Sequence, residues 1–295
     1  MVKSNGDHRG VSVGALMGAA AAEDIRLLKV AVHGASGKMG QAIVRLAANE
    51  RAQIVGAIVS RGSSRIGRDV GELAGTGNIG VAMSDDTSAG LLGADVVIDF
   101  SRPEALPRLL HLAMRAKVAV VSGTTRLDAT CERLLDEAAQ HVPVLWSPNT
   151  SIGIHVLAEI AASAARRLGP GFDVEIVEVH HRAKVDAPSG TAVRLADAVR
   201  AARGEVGEAA AALSDVHGRE GNVGPRKANE LGIFAVRGGD VIGDHTVHLL
   251  GPGERIELTH RATSRDLFAR GALRAAWHLH GKPPGRYTMA DVIEG

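Results

Sequence analysis

Between residues 27 and 149, short apolar runs alternate with helical patterns, and this alternation constrains the fold more than any other feature. Each run is apolar throughout and rich in β-branched residues, as expected of a strand buried on both faces. Repeated strand–helix units of this kind are typical of a doubly wound parallel sheet. The sequence therefore predicts a Rossmann-type α/β fold here, with Ser101 capping a helix that begins at Pro103. The strand-like runs are RLLKVAVHG, AQIVGAIVS, ADVVIDFS, KVAVVSGTT and VPVLWSPN.

After residue 150 the pattern changes, because strand-like segments begin to follow one another along the chain. The segments LGIFAVRGGD, VIGDHTVHLLG and ERIELTHRATS come in succession after FDVEIVEVHH and a capped helix. Such runs predict a second α+β domain with a mixed or antiparallel sheet. The final helical segment is placed to pack back on the first domain. We expect a flexible N-terminal extension at 1–26, a first domain at 27–150 and 266–295, and a second domain at 151–265.

Composition narrows the classes of protein that this chain can belong to. The formal net charge is +1 and aromatic residues make up 2% of the chain, which argues against a nucleic-acid partner or an anionic membrane surface. No apolar run reaches the length of a membrane span. Cys131 is the single cysteine, so an internal disulfide is excluded and a reducing, cytoplasmic location is expected.

A glycine loop follows the first strand. The segment GASGKMG places Gly34, Gly37 and Gly40 between a strand and a helix. Glycine allows a tight turn and a close backbone approach to a pyrophosphate, and the helix N-terminus supplies amides and positive potential. The alternative is a glycine turn that binds nothing. The strand–loop–helix context favours a dinucleotide site.

The end of the second strand bears on the choice of cofactor. An acid at this point accepts a hydrogen bond from the ribose 2′-hydroxyl of NAD, but the sequence has Val59, Ser60 and Arg61 instead. A guanidinium favours the 2′-phosphate of NADP. We therefore predict a preference for NADPH through Ser60 and Arg61, although a solvated surface arginine explains the same residue equally well.

Residues 178–192, EVHHRAKVDAPSGTA, concentrate imidazole and cationic groups ahead of a Pro-Ser-Gly-Thr turn. His180, His181, Arg182 and Lys184 suit a site that handles protons and holds an anion. The turn opens a helix, where Ser189 suits an N-cap and backbone amides favour negative groups. A solvated basic loop is the alternative. No cluster has metal-ligand spacing, because adjacent histidines on a strand face opposite ways, so no metal is expected.

Taken together, these motifs closely resemble the 4-hydroxy-tetrahydrodipicolinate reductase (dihydrodipicolinate reductase) family of bacterial lysine and diaminopimelate synthesis. The resemblance runs from about residue 27 to residue 293, and the HHRAKVDAPSGT segment is its most specific part. It implies reduction of 4-hydroxy-tetrahydrodipicolinate to tetrahydrodipicolinate by hydride transfer from NADPH or NADH. The matching motifs are GASGKMG, VIDFSRPE, SGTT, SPNTSIG, EVHHRAKVDAPSGTA, REGNVG, GGDVIGDHTV and ERIELTHRATSRDLFARGALRAA.

The resemblance also implies roles for individual residues. His180 would donate or accept a proton, and Lys184 would donate one. The substrate, a small cyclic dicarboxylate, would be bound by His181, Ser189, Gly190 and Thr191. The cofactor would be bound at Gly34, Ala35, Ser36, Gly37, Lys38, Met39, Phe100, Arg102, Gly123, Thr124, Thr125, Ser147, Pro148, Asn149 and Thr150.

Some residues depart from the family's usual pattern. Ala183 stands where another histidine is common, and Thr150 stands where a bulky residue is frequent. The resemblance further implies a homotetramer joined through the sheet of the second domain, which would bind substrate and form the oligomer. Two alternatives stay open: another two-domain NAD(P)H-dependent oxidoreductase acting on an amino-acid-like or imine substrate, and a catalytically inactive nicotinamide-binding regulator.

Overall fold

The computed structural model describes residues 27–205 and 213–295, so the predicted extension at 1–26 lies outside the described residues. Two sheets dominate it. The elements that build the first sheet and its helices are β1 (Leu28–His33), α1 (Lys38–Ala47), β2 (Ala52–Ile58), α2 (Val70–Ala74), β3 (Met83–Ser84), α3 (Thr87–Gly90), β4 (Val96–Asp99), α4 (Leu106–Ala116), β5 (Ala119–Ser122), α5 (Ala129–Ala139), β6 (Pro143–Trp146), α8 (Asp266–Leu279), β12 (Gly285–Tyr287) and α9 (Met289–Glu294).

The first sheet is parallel, with strand order β12-β6-β5-β4-β1-β2-β3. The order reverses between β1 and β4, and a ligand crevice in such sheets opens at the carboxyl ends of the strands beside that reversal. The buried strands β4 and β5 are apolar along most of their length, which explains why they sit in the middle of a sheet covered on both faces. The predicted fold class is confirmed for this part of the chain.

Helices cover both faces of the first sheet. On one face α1 and α8 pack together, with Ile43, Leu46 and Leu273 in the core. On the other face α4 and α5 bring Leu109, Leu110 and Leu135 against β4 to β6. Because α8 comes from the far end of the chain, the last segment of the sequence completes the core of the first sheet.

The second sheet is mixed, as predicted. The elements that build it and its helices are α6 (Ile152–Leu168), β7 (Asp173–His180), α7 (Gly190–Glu205), β8 (Ser214–Val216), β9 (Glu230–Arg237), β10 (Gly243–Gly251) and β11 (Glu254–Ala262). The strand order is β11-β10-β7-β9-β8, with β7 parallel to β9 and antiparallel to β10. The helices α6 and α7 cover one face with alanine and leucine side chains.

The predicted cap at Ser101 is wrong. A 3-10 turn, Pro103–Ala105, precedes α4, and Arg102 occupies the N-cap position without a side-chain hydrogen bond. The Ser101 hydroxyl contacts the Arg102 carbonyl oxygen at 3.4 Å instead. Two prolines, Pro103 and Pro107, share this short entry, and the tight first turn moves the α-helix past the reach of the serine.

Candidate active site

The glycine loop packs too closely for side chains at two positions. Gly34 has φ +81°, and a Cβ there would lie 2.6 Å from the Phe100 carbonyl oxygen. A Cβ at Gly40 would lie 2.4 Å from the Gly34 carbonyl oxygen. The helix α1 therefore starts directly against the end of β1, as the strand–loop–helix reading requires.

The start of α1 is suited to an anion. Gly37 is its N-cap, no side chain of the described residues caps it, and its first turn contains no acid. The first amides of the helix are thus left to a ligand. A cavity of about 280 Å³ opens at this point, lined in part by Gly34, Ser36, Gly37, Ser60, Phe100 and Arg102. These residues fit the pyrophosphate and ribose of a dinucleotide.

One buried carboxylate, that of Asp99, fastens the strand ends beneath this cavity. It accepts hydrogen bonds from the hydroxyls of Ser122 at 2.7 Å and Thr124 at 2.8 Å, and its other oxygen lies 2.8 Å from His33 Nδ1. Burial raises the pKa of Asp99, but the His33 and hydroxyl hydrogen bonds outweigh it and leave the pKa below its usual value. Sequence reasoning missed this cluster, because its members lie on three separate strands.

The second cavity, about 510 Å³, lies between the two sheets. Its wall carries His180 from the end of β7 and His181 and Lys184 from the loop that follows. Arg126 and Arg194 come from other elements. Asp186 is the acid that lines it, and this carboxylate is bound by Lys184 at 2.8 Å. The cleft is therefore built for an anionic ligand. Its lining residues are Thr125, Arg126, Pro148, Asn149, His180, His181, Lys184, Asp186, Ser189, Gly190, Thr191, Arg194, Ile242 and Phe268.

His180 ends β7 and is held from below by Glu178. Its Nδ1 lies 2.5 Å from Glu178 Oε2, and the carboxylate is completely buried. Burial raises the pKa of Glu178, but hydrogen bonds from His180 and Arg237 more than offset it and lower the pKa to about 2. The carboxylate therefore remains ionised next to the imidazole. The His245 ring stands edge-on to His180, with ring centroids 5.1 Å apart.

The Pro-Ser-Gly-Thr turn opens α7 as predicted. The Ser189 hydroxyl accepts a hydrogen bond from the Ala192 amide at 3.2 Å and lies 3.1 Å from His245 Nε2. Burial, followed by the charge of His180, lowers the pKa of His245 to about 3, so its ring is neutral at pH 7. Gly190 and Thr191 face the cleft, whereas the hydroxyl of Ser189 is occupied within the protein.

A chain of hydrogen bonds joins the segment between β6 and α6 to α7. Asn149 Nδ2 donates to the Thr191 hydroxyl at 3.0 Å, and the Asn149 carbonyl oxygen lies 2.8 Å from His155 Nε2. Arg194 donates to His155 Nδ1 at 2.7 Å and forms no ion pair with any carboxylate in residues 27–205 or 213–295. Sequence reasoning did not single out His155 or Arg194, because neither lies in the basic loop.

A third cavity has one lining residue in common with each of the other two. It measures about 520 Å³, shares Arg102 with the glycine-loop cavity and shares Arg126 with the cleft. Arg126 has φ +60°, a left-handed conformation that is uncommon for a residue other than glycine. Arg102 and Arg126 thus lie at the borders between neighbouring cavities.

Comparison with known proteins decides the family. Residues 28–150 match the family described as dihydrodipicolinate reductase, N-terminus, and residues 153–293 match dihydrodipicolinate reductase, C-terminus. The chain belongs to the dihydrodipicolinate reductase family. Members of this family are NAD(P)H-dependent oxidoreductases.

Relatives match over nearly their full length. The 4-hydroxy-tetrahydrodipicolinate reductase of Anaeromyxobacter dehalogenans (strain 2CP-1 / ATCC BAA-258) is 50% identical over 90% of this chain and 98% of its own. That of Thiobacillus denitrificans (strain ATCC 25259 / T1) is 46% identical over the same shares. A solved structure, dipicolinate-bound dihydrodipicolinate reductase from Paenisporosarcina sp. TG-14, superposes with a TM-score of 0.69 at 23% identity, covering 91% of this chain and 100% of that one. This likeness shows the shared fold.

The structure divides the predicted site residues into two groups. Those that line a cavity are Gly34, Ser36, Gly37, Ser60, Phe100, Arg102, Thr125, Pro148, Asn149, His180, His181, Lys184, Ser189, Gly190 and Thr191. Within the described part of the chain, the others lie outside these two linings: Ala35, Lys38, Met39, Arg61, Gly123, Thr124, Ser147 and Thr150. The functional roles of both groups stay predictions.

Several members of the second group have structural partners, among them Thr150 and Gly123. The Thr150 hydroxyl donates to the Phe268 carbonyl oxygen at 2.7 Å. This bond attaches the segment between β6 and α6 to α8. Gly123 packs under Phe100, since a Cβ at Gly123 would lie 2.2 Å from the Phe100 ring. Thr150 thus holds Phe268, which lines the cleft, and Gly123 leaves room for Phe100, which lines the glycine-loop cavity.

The described residues contain no group of three or more His, Cys, Asp or Glu side chains that could hold a metal ion. Among the helices described, none has both the length and the apolar character needed to cross a membrane.

Proposed function

We propose that this chain reduces 4-hydroxy-tetrahydrodipicolinate to tetrahydrodipicolinate with NAD(P)H, as a step of lysine synthesis through diaminopimelate. The observation that carries the proposal is the cleft itself. His180 and Lys184 face a cavity whose wall is rich in cations, and another cavity opens at the glycine loop. A doubly negative substrate fits the first cavity, and the phosphates of a nicotinamide cofactor fit the second.

The residues of the cleft divide the chemistry among them. A reduced nicotinamide supplies a hydride when bound. Loss of the 4-hydroxyl group as water leaves an alkene conjugated with the ring imine. Hydride adds to this alkene, and the negative charge that develops toward the ring nitrogen must be met by a proton or a cation. Lys184 and His180 are the groups that supply it. His181 and the backbone amides of Gly190 and Thr191 hold the carboxylates, and Gly190 leaves room for this approach.

Lys184 lines the cleft and forms an ion pair there with Asp186. The two side chains are 2.8 Å apart, and the Lys184 hydrogen bond is the main reason that the pKa of Asp186 lies below its usual value. When a dianionic substrate binds, its carboxylate competes with Asp186 for the same ammonium. We expect Lys184 to exchange one partner for the other, so that its charge stays satisfied in both states.

The finer assignments are part of the same proposal. The cofactor is NADPH in preference to NADH, through Ser60 at the cavity wall and Arg61 beside it. Residues 27–150 and 266–295 carry the cofactor, and residues 151–265 bind the substrate and form a homotetramer. The enzyme acts in the cytoplasm. Support comes from the residues at the end of β2 and from the family pattern.

The test is a coupled assay with the purified full chain. The cyclic dicarboxylate is generated in place from its precursors, and consumption of NADPH and of NADH is followed by the absorbance of the reduced nicotinamide. We expect turnover that depends on the dicarboxylate with either cofactor, and a lower KM for NADPH. Nicotinamide binding without turnover would support the inactive regulator, and turnover only with other imines would support a different reductase.

A further inference from the structure

The carboxylate of Glu178 lies directly beneath His180 and is fully occupied by the protein. Its Oε2 is 2.5 Å from His180 Nδ1, and the Ser189 amide donates to its Oε1 at 3.0 Å. Arg237 donates to Oε2 at 2.7 Å and to Oε1 at 2.8 Å. Glu178 has no exposed surface, so this arrangement is a built feature of the sheet and not a surface contact.

Arg237 extends the cluster to the basic loop. Besides Glu178, its guanidinium donates to the Asp186 carbonyl oxygen at 2.7 Å. Since the Asp186 carboxylate binds Lys184, the loop that carries the ammonium is fastened to the same buried group as the imidazole. One carboxylate thus connects His180, the Ser189 turn and, through Arg237, the Lys184 loop.

We propose that Glu178 is a positioning residue for proton transfer, which keeps a proton on His180 Nδ1 so that Nε2 exchanges protons with the ligand in the cleft. This inference rests on the proposed function, because His180 is the proton-transfer group there. A carboxylate that faces one ring nitrogen fixes the tautomer and the ring orientation, and its charge stabilises the imidazolium.

The surroundings of Nε2 agree with this assignment. A Cβ at Gly243 would lie 2.9 Å from His180 Nε2, so glycine leaves space at that edge of the ring. His245 packs against the ring but is neutral at pH 7, because burial lowers its pKa to about 3. The ionised partner on the buried side is therefore Glu178. The charged or titratable groups that face His180 are Glu178 on β7, Arg237 on β9, His245 on β10, His181, Lys184 and Asp186 in the loop, and Arg126 and Arg194 across the cleft.

The decisive variant is Glu178→Gln, compared with Glu175→Gln as the matched control. Glu175 lies in the same strand, is buried and is held by Arg219 and Arg226, but it does not touch His180. We expect E178Q to lower kcat by about 10- to 1000-fold and to move the alkaline limb of kcat/KM to lower pH, because the imidazolium loses the neighbouring negative charge. Glu178→Asp should restore part of that shift, and E175Q should leave the limb in place.

A second measurement does not depend on turnover or on the variant's folding. The ¹⁵N chemical shifts of His180 in the wild-type enzyme, assigned with His180→Gln, report which ring nitrogen carries the proton above the imidazole pKa. We expect the Nδ1–H form. An Nε2–H form, or an alkaline limb that E178Q and E175Q move equally, would overturn the proposal. A wild-type enzyme without turnover would refute the proposed function instead, while the tautomer would still decide the role of Glu178.

Discussion

The two sides of the cleft are built on different physical principles. On the cofactor side, Gly34 and Gly40 allow backbone to approach backbone, and Asp99 gathers the hydroxyls of the strand ends. On the substrate side, charges lie close together: Glu178 with His180 and Arg237, and Lys184 with Asp186. The first side is therefore sensitive to volume, whereas the second is sensitive to the loss of a charge.

The largest effect is expected from the charges of the substrate side. Lys184→Met or His180→Gln should lower kcat by about 10²- to 10⁴-fold, because each removes a group that supplies a proton in the reaction. Dinucleotide affinity, measured by fluorescence titration, should stay near the wild-type value because the glycine loop is untouched.

Arg182→Gln is the control for these variants. Arg182 is exposed in the same loop, and it is not among the described residues that line the cleft. It should retain turnover. A double variant of His180 and Lys184 that worked at full speed would refute the division of roles between the two sides.

The next largest effect concerns volume on the cofactor side. Gly40→Ala should destabilise the fold by about 1–3 kcal/mol and weaken dinucleotide binding, because its Cβ would lie 2.4 Å from the Gly34 carbonyl oxygen. Thermal unfolding with and without NADPH measures both effects. At Gly171 a Cβ would meet no described atom within 4 Å, so Gly171→Ala should be nearly neutral. Equal melting temperatures for the two variants would contradict the steric account.

A smaller effect links the substrate side to acid stability. The pKa of His245 in the folded state is about 3, against 6.5 for the free side chain, so below pH 6.5 the unfolded chain binds a proton that the folded one does not. Stability from the neutral ring is complete above pH 6.5 and is lost as the pH falls toward 3. His245→Asn should flatten the decline of the unfolding free energy between pH 6.5 and 4.5 by about 1 kcal/mol per pH unit.

The matched control is His248→Asn on the same strand. His248 is only half-buried and lies beside Glu257 at 3.6 Å on the neighbouring strand. Denaturant titrations at several pH values should give the wild-type slope for this variant. If both variants, or neither, changed the slope, the buried neutral ring would not be the cause.

The smallest effect is expected for cofactor choice. Arg61→Ala should raise the KM for NADPH by about 10-fold and leave the KM for NADH unchanged, because only NADPH offers a 2′-phosphate to a guanidinium. Arg68→Ala, an exposed arginine further along the same segment, should leave both values unchanged. An equal response to both cofactors would mean that Arg61 is simply a solvated side chain.

Sequence patterns identified much of this molecule because its main signals are local. The alternation of apolar runs and helices between residues 27 and 149 depends on neighbours in the chain, and it gave the parallel sheet. The loop with His180 and Lys184 is likewise one short segment, and the structure brings it to the cleft. The strands β3 and β12 were missed, because two or three residues carry no clear periodicity.

The buried partners could not be predicted, because they meet only through the topology. Asp99 and His33 lie on adjacent parallel strands, and Glu178 and Arg237 pair across β7 and β9. In the sequence each is a polar residue at or near the end of a strand, where a solvated side chain is the ordinary interpretation. Only the strand order shows that Asp99 meets His33 and that Glu178 meets Arg237, with both carboxylates shielded from water.

The return of α8 to the first sheet has a consequence for biosynthesis. Ala269, Ala272 and Leu273 fill the core beside α1, and β12 then adds the outermost strand next to β6. During translation, the strands of the first sheet are synthesised before α8, so part of one apolar face stays exposed until translation has almost ended. Nascent chains halted before residue 266 should therefore bind chaperones through this exposed apolar face. Full-length chains can bury the same face with α8.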